Sequence, residues 1–193
     1  CRVWTQDDEG QWRSSRPLEG HTRSVSAISH SPDGQYFVTG SDDDTCRVWS
    51  QDDEGQWQSS PPLEGHADGV WAISFSPDGR YFVSGSGDET CRVWTQDDAG
   101  QWRYSRPLVG HAGPVEAISH SPDGRYFVTG SDDKTCRVWM RNGTGTWLDD
   151  QCVFGKKTTV TLDAGAQGRP VEGVGEGAGE DAADPELGRC VIA

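Results

Sequence analysis

Three sets of residues in this sequence combine a histidine, a hydroxyl group and a carboxylate, which are the groups of a hydrolytic triad. In each set the hydroxyl residue follows the histidine by 18 positions and the aspartate follows it by 22. The sets are His21, Thr39 and Asp43; His66, Ser84 and Asp88; and His111, Thr129 and Asp133. A triad of this kind would use the hydroxyl as nucleophile and the histidine as its base. An active site occurs once in a protein, whereas this set occurs three times and twice has threonine for serine, so we expect no catalytic residues.

The triad-like sets are parts of a repeat of 45 residues that fills most of the chain. The segments His21–Trp49 and His111–Trp139 are identical at 23 of 29 positions. Within one unit, β-branched and aromatic segments such as QYFVTG and TCRVWS alternate with turn sequences such as SPDG and QDDEG. This alternation predicts four short antiparallel strands in each repeat and no helix.

A Gly-His pair, the SPDG turn and a tryptophan recur in register, and together they resemble the WD-repeat family over about residues 1–162. The sequence departs from the family pattern at one position, because Trp4, Trp49, Trp94 and Trp139 are not followed by aspartate. The resemblance implies an all-β fold, a β-propeller built of four-stranded antiparallel blades. It also implies a non-catalytic scaffold that binds protein or peptide partners and uses no cofactor.

This resemblance gives the triad-like sets a structural interpretation. In the family, the histidine, hydroxyl and aspartate form a buried hydrogen-bond network that ends on a tryptophan indole, here Trp49, Trp94 and Trp139. Such a network ties the loop before the first strand of a blade to the turn after its second strand, and it makes the blade rigid. We therefore predict structural roles for all members of the three sets.

The repeats predict an incomplete propeller followed by a tail. The expected units are a partial blade at residues 1–18, repeats at 19–63, 64–108 and 109–153, a degenerate repeat start at 154–162 and a disordered, acidic, Gly/Ala-rich tail at 163–193. About three whole blades do not close a ring, because propellers have at least four. We therefore expect a fragment of a larger protein, or a chain whose ring is completed by self-association. Either way, strand edges and tryptophan-bearing faces should be exposed at its open ends.

The positions at which the repeats differ are candidates for partner binding. They cluster after the Gly-His pair and before the network aspartate, where the family presents its partner-binding loops. These positions are Ser24, Ser26, Asp42, Gly69, Trp71, Gly87, Pro114, Glu116 and Asp132. Trp71 is the strongest candidate, because aromatic anchors dominate interface energies. Two alternatives stay open: random change at exposed positions that nothing constrains, and packing of Trp71 against a neighbouring loop.

The formal net charge of −14 argues against a basic, phosphate-binding face and hence against nucleic acid as the partner. Aspartates in the SPDG turns and in the turns after the tryptophan strands are predicted to share one acidic rim, so we expect basic partners. The spacing of these carboxylates lacks the alternating ligands of a Ca²⁺ loop. Solvated turn residues are therefore the favoured interpretation, and no metal site is predicted.

Four of the six cysteines occupy one repeat position and are predicted to be small buried strand residues, which favours a reducing, intracellular location. The cytoplasm is expected, with the nucleus as an alternative, and no transmembrane segment is visible. The last four residues begin with Cys190 and resemble a prenylation signal, although the flanking sequence is acidic. A lipid there would give only weak membrane attachment.

Three functions are open on the sequence alone. The leading hypothesis is a scaffold that presents the variable loops of the propeller rim to partners. The alternative is the sensor or regulatory repeat region of a larger signalling protein with an upstream catalytic domain. A hydrolase that uses Ser84 or its counterparts is the third, and it would need a hydroxyl that reacts with an active-site probe.

Overall fold

The computed structural model describes residues 1–143 and 145–152, and in this part of the chain it contains fifteen β-strands and no helix. A hairpin comes first, formed by β1 (Trp4–Gln6) and β2 (Trp12–Ser14). The first blade contains β3 (Val25–His30), β4 (Tyr36–Ser41), β5 (Cys46–Gln51) and β6 (Trp57–Ser59). The second contains β7 (Val70–Phe75), β8 (Tyr81–Ser86), β9 (Thr90–Gln96), β10 (Trp102–Tyr104) and the short β11 (Leu108–Val109). The third contains β12 (Val115–His120), β13 (Tyr126–Ser131), β14 (Cys136–Arg141) and β15 (Trp147–Cys152).

Each blade is an antiparallel meander, in which strands that follow one another in the sequence are neighbours in the sheet. The strand β11 also pairs with β9, through Leu108 and Cys91. A single bridge between Cys46 and Leu63 takes the same place in the first blade. The prediction of four-stranded antiparallel blades is confirmed. The degenerate repeat start at 154–162, the tail at 163–193 and the prenylation candidate Cys190 lie outside the described residues.

The SPDG turn between the first two strands of each blade is held by side chains as well as by backbone. In the second blade the Ser76 hydroxyl donates to Asp78 Oδ1 at 2.7 Å and accepts from the Tyr81 N–H at 3.2 Å. Gly79 has a φ of 70°, in the left-handed region that glycine adopts without a steric penalty. Equivalent serine–aspartate bonds begin at Ser31 and Ser121, so the first two strands have the same register in every blade.

The hydrophobic core lies between blades. One cluster joins the first two blades and contains Val38, Cys46, Val48, Val70, Phe75, Phe82 and Trp94. A second cluster joins the second and third blades and contains Tyr81, Val83, Cys91, Val93, Val115, Phe127 and Trp139. The blades leave no room for a side chain at two glycines: a Cβ atom on Gly40 would lie 2.6 Å from Val70 Cγ1, and one on Gly85 would lie 2.7 Å from Val115 Cγ1. The missing side chain at this strand position therefore sets the spacing between blades.

The N-terminal end of the stack exposes large apolar side chains. Trp4 is 59% exposed and Trp12 is 65% exposed, whereas Trp49, the counterpart of Trp4 in the first blade, is only 2% exposed. On the first blade, Ile28 is 54% exposed, although its counterpart Ile73 packs against the core between blades. In the described structure, the tryptophan-bearing surface of the β1–β2 hairpin is therefore exposed.

Candidate functional site

The triad-like set of the second blade forms one continuous chain of hydrogen bonds. His66 lies in the loop before β7, Ser84 in β8, Asp88 in the turn after β8 and Trp94 in β9. The Nδ1 atom of His66 is 2.8 Å from Asp88 Oδ2, and its Nε2 atom is 2.8 Å from Ser84 Oγ. The indole N–H of Trp94 donates to the same Ser84 oxygen at 2.8 Å. The chain thus connects a loop, two strands and a turn.

The other two complete blades repeat this geometry. In the first blade the three distances are 2.9 Å for His21–Asp43, 2.7 Å for His21–Thr39 and 2.9 Å for Trp49–Thr39. In the third they are 2.7 Å for His111–Asp133, 2.7 Å for His111–Thr129 and 3.0 Å for Trp139–Thr129. The structure therefore brings together all members of each set, including the tryptophan.

One arrangement of protons satisfies every bond in such a chain. The histidine Nδ1–H donates to the aspartate, the hydroxyl donates to histidine Nε2, and the indole N–H donates to the hydroxyl oxygen. Burial by itself would raise the pKa of Asp88, but hydrogen bonds from His66, Thr90 and the Ala67 N–H hold that pKa well below its usual range. The pKa values of Asp43 and Asp133 are lowered against the same burial effect by equivalent hydrogen bonds. The carboxylate therefore stays charged at neutral pH.

The hydroxyl groups of the three sets are sealed inside the blades. Thr39, Ser84 and Thr129 are all 0% exposed. In a hydrolase the nucleophile must meet a substrate carbonyl, and the base must pass its proton to a leaving group. Here the tryptophan indole occupies the side of the hydroxyl oxygen that the histidine leaves free. The groups follow one another in the order found in a catalytic triad, but here they hold a loop, two strands and a turn of one blade together.

The variable positions of the first two blades meet in a groove at the opposite end from the SPDG turns. This crown groove is lined by Arg23, Ser24, Asp42, Asp68, Gly69 and Trp71. Its walls are the turn between β4 and β5, the loop before β3 and the loop before β7. Neighbouring strands run antiparallel, so these turns share one end of each blade. The SPDG turns and the turns between the third and fourth strands share the other end.

Trp71 lines the crown groove and lies over Gly69. A Cβ atom on Gly69 would lie 2.7 Å from the indole Nε1 of Trp71 and 3.3 Å from Asp42 Cα, so the indole crosses over this glycine beside the first blade. The Asp42 carboxylate accepts from the Ser26 hydroxyl at 2.9 Å, and the Asp42 carbonyl accepts from Arg23 Nη1 at 2.9 Å. Trp71 thus packs against a neighbouring turn, as one of the open alternatives proposed, and is half-buried.

Gly87 makes room for a second carboxylate in this groove. A Cβ atom on Gly87 would lie 2.8 Å from Asp68 Oδ2, so the Asp68 side chain occupies space that the aspartates at this position fill in the other blades. Asp68 Oδ1 also accepts from the Gly69 N–H at 2.7 Å. Arg23 and Asp68 are not among the positions predicted for partner binding. Both differ from their counterparts in the other repeats, and that difference was the available signal.

The candidate positions of the third blade lie outside the crown groove. Glu116 and Asp132 are exposed, and Pro114 is half-buried, with its carbonyl accepting from the Asp132 N–H at 3.0 Å. The structure therefore brings together the partner-binding candidates of the first two blades in the crown groove. The three candidates of the third blade lie elsewhere at the end opposite the SPDG turns.

The aspartates of the opposite, acidic rim mostly bond to their own turns. Asp52 Oδ1 accepts from the N–H groups of Glu54 and Gln56 at 3.1 and 2.8 Å. Asp33 Oδ1 accepts from the Gln35 N–H at 3.0 Å. No group of three or more His, Cys, Asp or Glu side chains suited to a metal ion occurs in residues 1–143 and 145–152. These carboxylates therefore act as turn-forming groups.

The sheets described above are blades of the β-propeller class of proteins. A family profile described as "WD domain, G-beta repeat" matches residues 12–50, 57–95 and 102–140. The chain therefore belongs to the WD-repeat family. No curated protein matches the chain. Within the described residues, no helix is long and apolar enough to cross a membrane.

Proposed function

We propose that this chain is a non-catalytic interaction module and that its crown groove binds a basic segment of a partner protein. WD repeats generally mediate protein–protein interactions, which supports the first part of the proposal. The second part rests on one observation: Trp71, Asp42 and Asp68 surround a single groove at the boundary of two blades.

The chemistry of the groove suits a lysine or arginine side chain. The half-buried indole of Trp71 still offers part of its flat apolar face, and a cation over such a face is attracted by the ring electrons. Asp42 and Asp68 supply negative charge on either side of Gly69. The net charge of −14 steers basic segments toward the protein and repels acidic ones. Arg23 bonds to the Asp42 carbonyl and leaves the Asp42 carboxylate to Ser26 and to a ligand.

The sealing of the triad-like sets supports a non-catalytic role. A nucleophile with 0% exposure, whose oxygen already accepts an indole N–H, has no place to receive a carbonyl carbon. The same hydrogen-bond network recurs in all three blades. This recurrence supports a structural role, because an enzyme needs only one active site.

A direct test is the titration of the full chain with the peptide Gly-Arg-Gly-Arg-Gly, followed by the NMR signals of the Asp42 and Gly69 backbone N–H groups, which line the groove and are present in every variant. We expect these signals to shift on binding, and we expect the glutamate counterpart of the peptide to leave them unchanged. Trp71→Ser, which installs the residue of the first repeat, should weaken binding about tenfold. Glu116→Ser makes the same replacement at the third repeat and is the matched control, because Glu116 lies outside the groove.

Binding should also weaken as salt is raised, since charge attraction at an exposed groove is screened. Equal binding by the parent chain and by Trp71→Ser, with unchanged thermal midpoints, would overturn the assignment of the groove. Binding lost in both Trp71→Ser and Glu116→Ser would place the basic segment elsewhere on the crown end.

A further inference from the structure

The second blade leaves one arginine of the repeat without a hydrogen-bond acceptor. This arginine lies in the third strand and is Arg47 in the first blade, Arg92 in the second and Arg137 in the third. Arg47 Nη1 donates to Ser59 Oγ at 3.3 Å and to the Ser60 carbonyl at 3.1 Å. Arg92 makes no hydrogen bond to any residue that the structure describes. Because Arg92 is half-buried, its N–H groups have lost part of their water without gaining an acceptor.

Tyr104 causes this difference between the first two blades. It pairs with Trp94 across the strands β9 and β10, as Ser59 pairs with Trp49 in the first blade. The tyrosine therefore takes the place of the serine that accepts from the arginine. The guanidinium carbon of Arg92 lies 4.5 Å from the centre of the Tyr104 ring. A ring face attracts a cation, but it offers no acceptor to the N–H groups at the rim of the guanidinium plane.

The third blade shows a charged acceptor at the same position. Asp149 pairs with Trp139 there, and Arg137 Nη1 donates to its carboxylate. One strand position thus offers the arginine a hydroxyl, a ring or a carboxylate, and only the ring leaves the N–H donors unused. A carboxylate from outside the chain would supply to Arg92 what Asp149 supplies to Arg137. Guanidinium–carboxylate pairs are strong, because both groups are charged and their planar shapes match.

A small pocket adjoins Tyr104 at the edge of the second blade. This edge pocket is lined by Pro62, Leu63, Glu64, Trp94, Trp102, Arg103 and Tyr104. Its volume of about 240 Å³ is smaller than that of typical small-molecule sites and suits a single side chain. Most of its lining is aromatic or apolar, so it favours an apolar side chain. Arg92 lies close by, since a Cβ atom on Gly65, next to Glu64, would be 3.5 Å from Arg92 Nε.

Two replacements make this edge less acidic than the edge of the first blade. Arg106 stands at the repeat position of Pro61, and Val109 stands at that of Glu64. Both side chains are exposed. The net charge of −14 repels an acidic segment at long range, but physiological salt screens this repulsion beyond about 8 Å. Close to Arg92, the local charges therefore decide, and they favour an anion.

We propose that Arg92, Tyr104 and the edge pocket form a second binding site, which takes a partner segment with an acidic residue next to a bulky apolar one. The carboxylate accepts from the N–H groups of Arg92, and the apolar side chain enters the pocket beside Trp102. The edge pocket and the crown groove have no lining residue in common. The second site is thus separate from the proposed groove and prefers the opposite charge.

The test titrates the full chain with the peptide Gly-Leu-Glu-Leu-Gly, blocked at both ends, and follows the NMR signals of the Leu63 and Gly65 backbone N–H groups. We expect both signals to shift. The glutamine counterpart of the peptide should bind about tenfold more weakly, because a neutral amide forms no charged pair with Arg92. The Asp42 and Gly69 signals of the crown groove should stay unchanged, so failure at one site is distinguishable from failure at the other.

Four variants test the roles of the arginine and the ring. Arg92→Gln should weaken binding of the glutamate peptide about tenfold or more, since it removes the charged donors. Arg137→Gln is the matched control and should bind as the parent does, because this arginine lies in the third blade and already has an acceptor. Tyr104→Ser should weaken binding too, since the serine hydroxyl accepts from Arg92. Tyr104→Phe keeps the ring and should leave binding unchanged.

Tyr104→Ser keeps the proposal testable even where Arg92→Gln fails to fold, because Tyr104 is 49% exposed and the first blade has serine at this position. Leu63 and Gly65 signals that do not move at millimolar peptide would overturn the proposal. Binding as tight by Tyr104→Ser as by the parent chain would do the same. Sodium acetate is the small-anion probe, and shifts as large as those from an equal concentration of peptide would replace the proposal with a simple anion site.

Discussion

At the scale of single residues, Ser84 has the histidine partner of a catalytic nucleophile but lacks the access to solvent and substrate that a nucleophile needs. Its oxygen lies 2.8 Å from His66 Nε2 and accepts the Trp94 indole N–H, also at 2.8 Å, in a place that solvent does not reach. Both hydrogen-bonding directions of the hydroxyl are in use. The residue therefore contributes stability by satisfying two buried ring nitrogens at once.

We expect Ser84→Ala to lower the free energy of unfolding by about 2 kcal/mol, because two buried ring groups lose their shared partner. Ser84→Thr is the matched control and should change it by less than about 0.5 kcal/mol, since threonine holds this position in the other two blades. Urea denaturation followed by tryptophan fluorescence measures both variants. An alanine variant as stable as the parent would show that the network contributes nothing measurable at this position.

At the scale of elements, the glycine in the second strand of each blade controls how closely the next blade packs. Gly85→Ala would place a methyl group 2.7 Å from Val115 Cγ1 and 3.2 Å from the Val115 carbonyl. Relief requires a shift of β12 as a whole, because one of the atoms in contact belongs to its backbone. We expect a loss of about 1–3 kcal/mol of unfolding free energy, the usual cost of overpacking.

Gly130→Ala is the control for this prediction. At Gly130 the nearest atom to a new Cβ is the Cβ of Ala117 at 3.6 Å, an ordinary contact within the same blade. The substitution should be neutral or slightly stabilising, since alanine restricts the unfolded chain more than glycine. Chemical denaturation of both variants tests the pair. Equal losses would mean that the cost arises inside each blade and has no connection with blade spacing.

The element scale also shows how far the sequence alone could lead. Turn sequences and the spacing of 45 residues predicted strands such as β4 and β5 to within one or two residues, because these are local signals repeated in register. The bonding of the triad-like sets followed from the family resemblance. The crossing of Trp71 over Gly69 and the placement of Asp68 over Gly87 did not, because they depend on backbone positions in adjacent blades. The differences between repeats mark Arg23 and Asp68 as variable, but they do not show which variable residues touch across adjacent blades.

At the scale of the whole molecule, the joint between the second and third blades contains a histidine that the preceding joint lacks. His120 takes the place of Phe75, and its Nδ1 atom is 2.8 Å from the Ser74 hydroxyl. Its ring packs against Tyr81 at a centroid distance of 5.4 Å, and its Nε2 atom is buried without a hydrogen-bond partner among the described residues. Burial lowers the pKa of His120 to about 4, an effect that the negative charge of Asp78 only partly opposes.

This joint should weaken in mild acid. The unfolded chain takes up a proton on His120 near pH 6.5, whereas the folded chain does so only near pH 4, so stability falls as the pH falls through that window. We expect His120→Phe to remove about 2 kcal/mol of the loss between pH 7 and pH 5. The reciprocal change, Phe75→His, should add a similar loss at the preceding joint. Urea denaturation at pH 7 and pH 5 measures the loss of unfolding free energy for each variant. Equal losses in the parent chain and in His120→Phe would contradict the prediction.

The compact span of each hydrogen-bond chain has a consequence for how such a gene can change. Every hydrogen-bond network begins at a histidine and ends at the tryptophan 28 residues later, as in His21–Trp49, and includes no residue of another repeat. A duplication or deletion of 45 codons joins equivalent positions of two repeats, wherever the break falls. Every remaining hydrogen-bond network therefore keeps all of its members. Unequal crossing-over between the repeats therefore leaves the hydrogen bonds inside each blade intact. We expect the number of blades to change faster in evolution than the sequence of each blade.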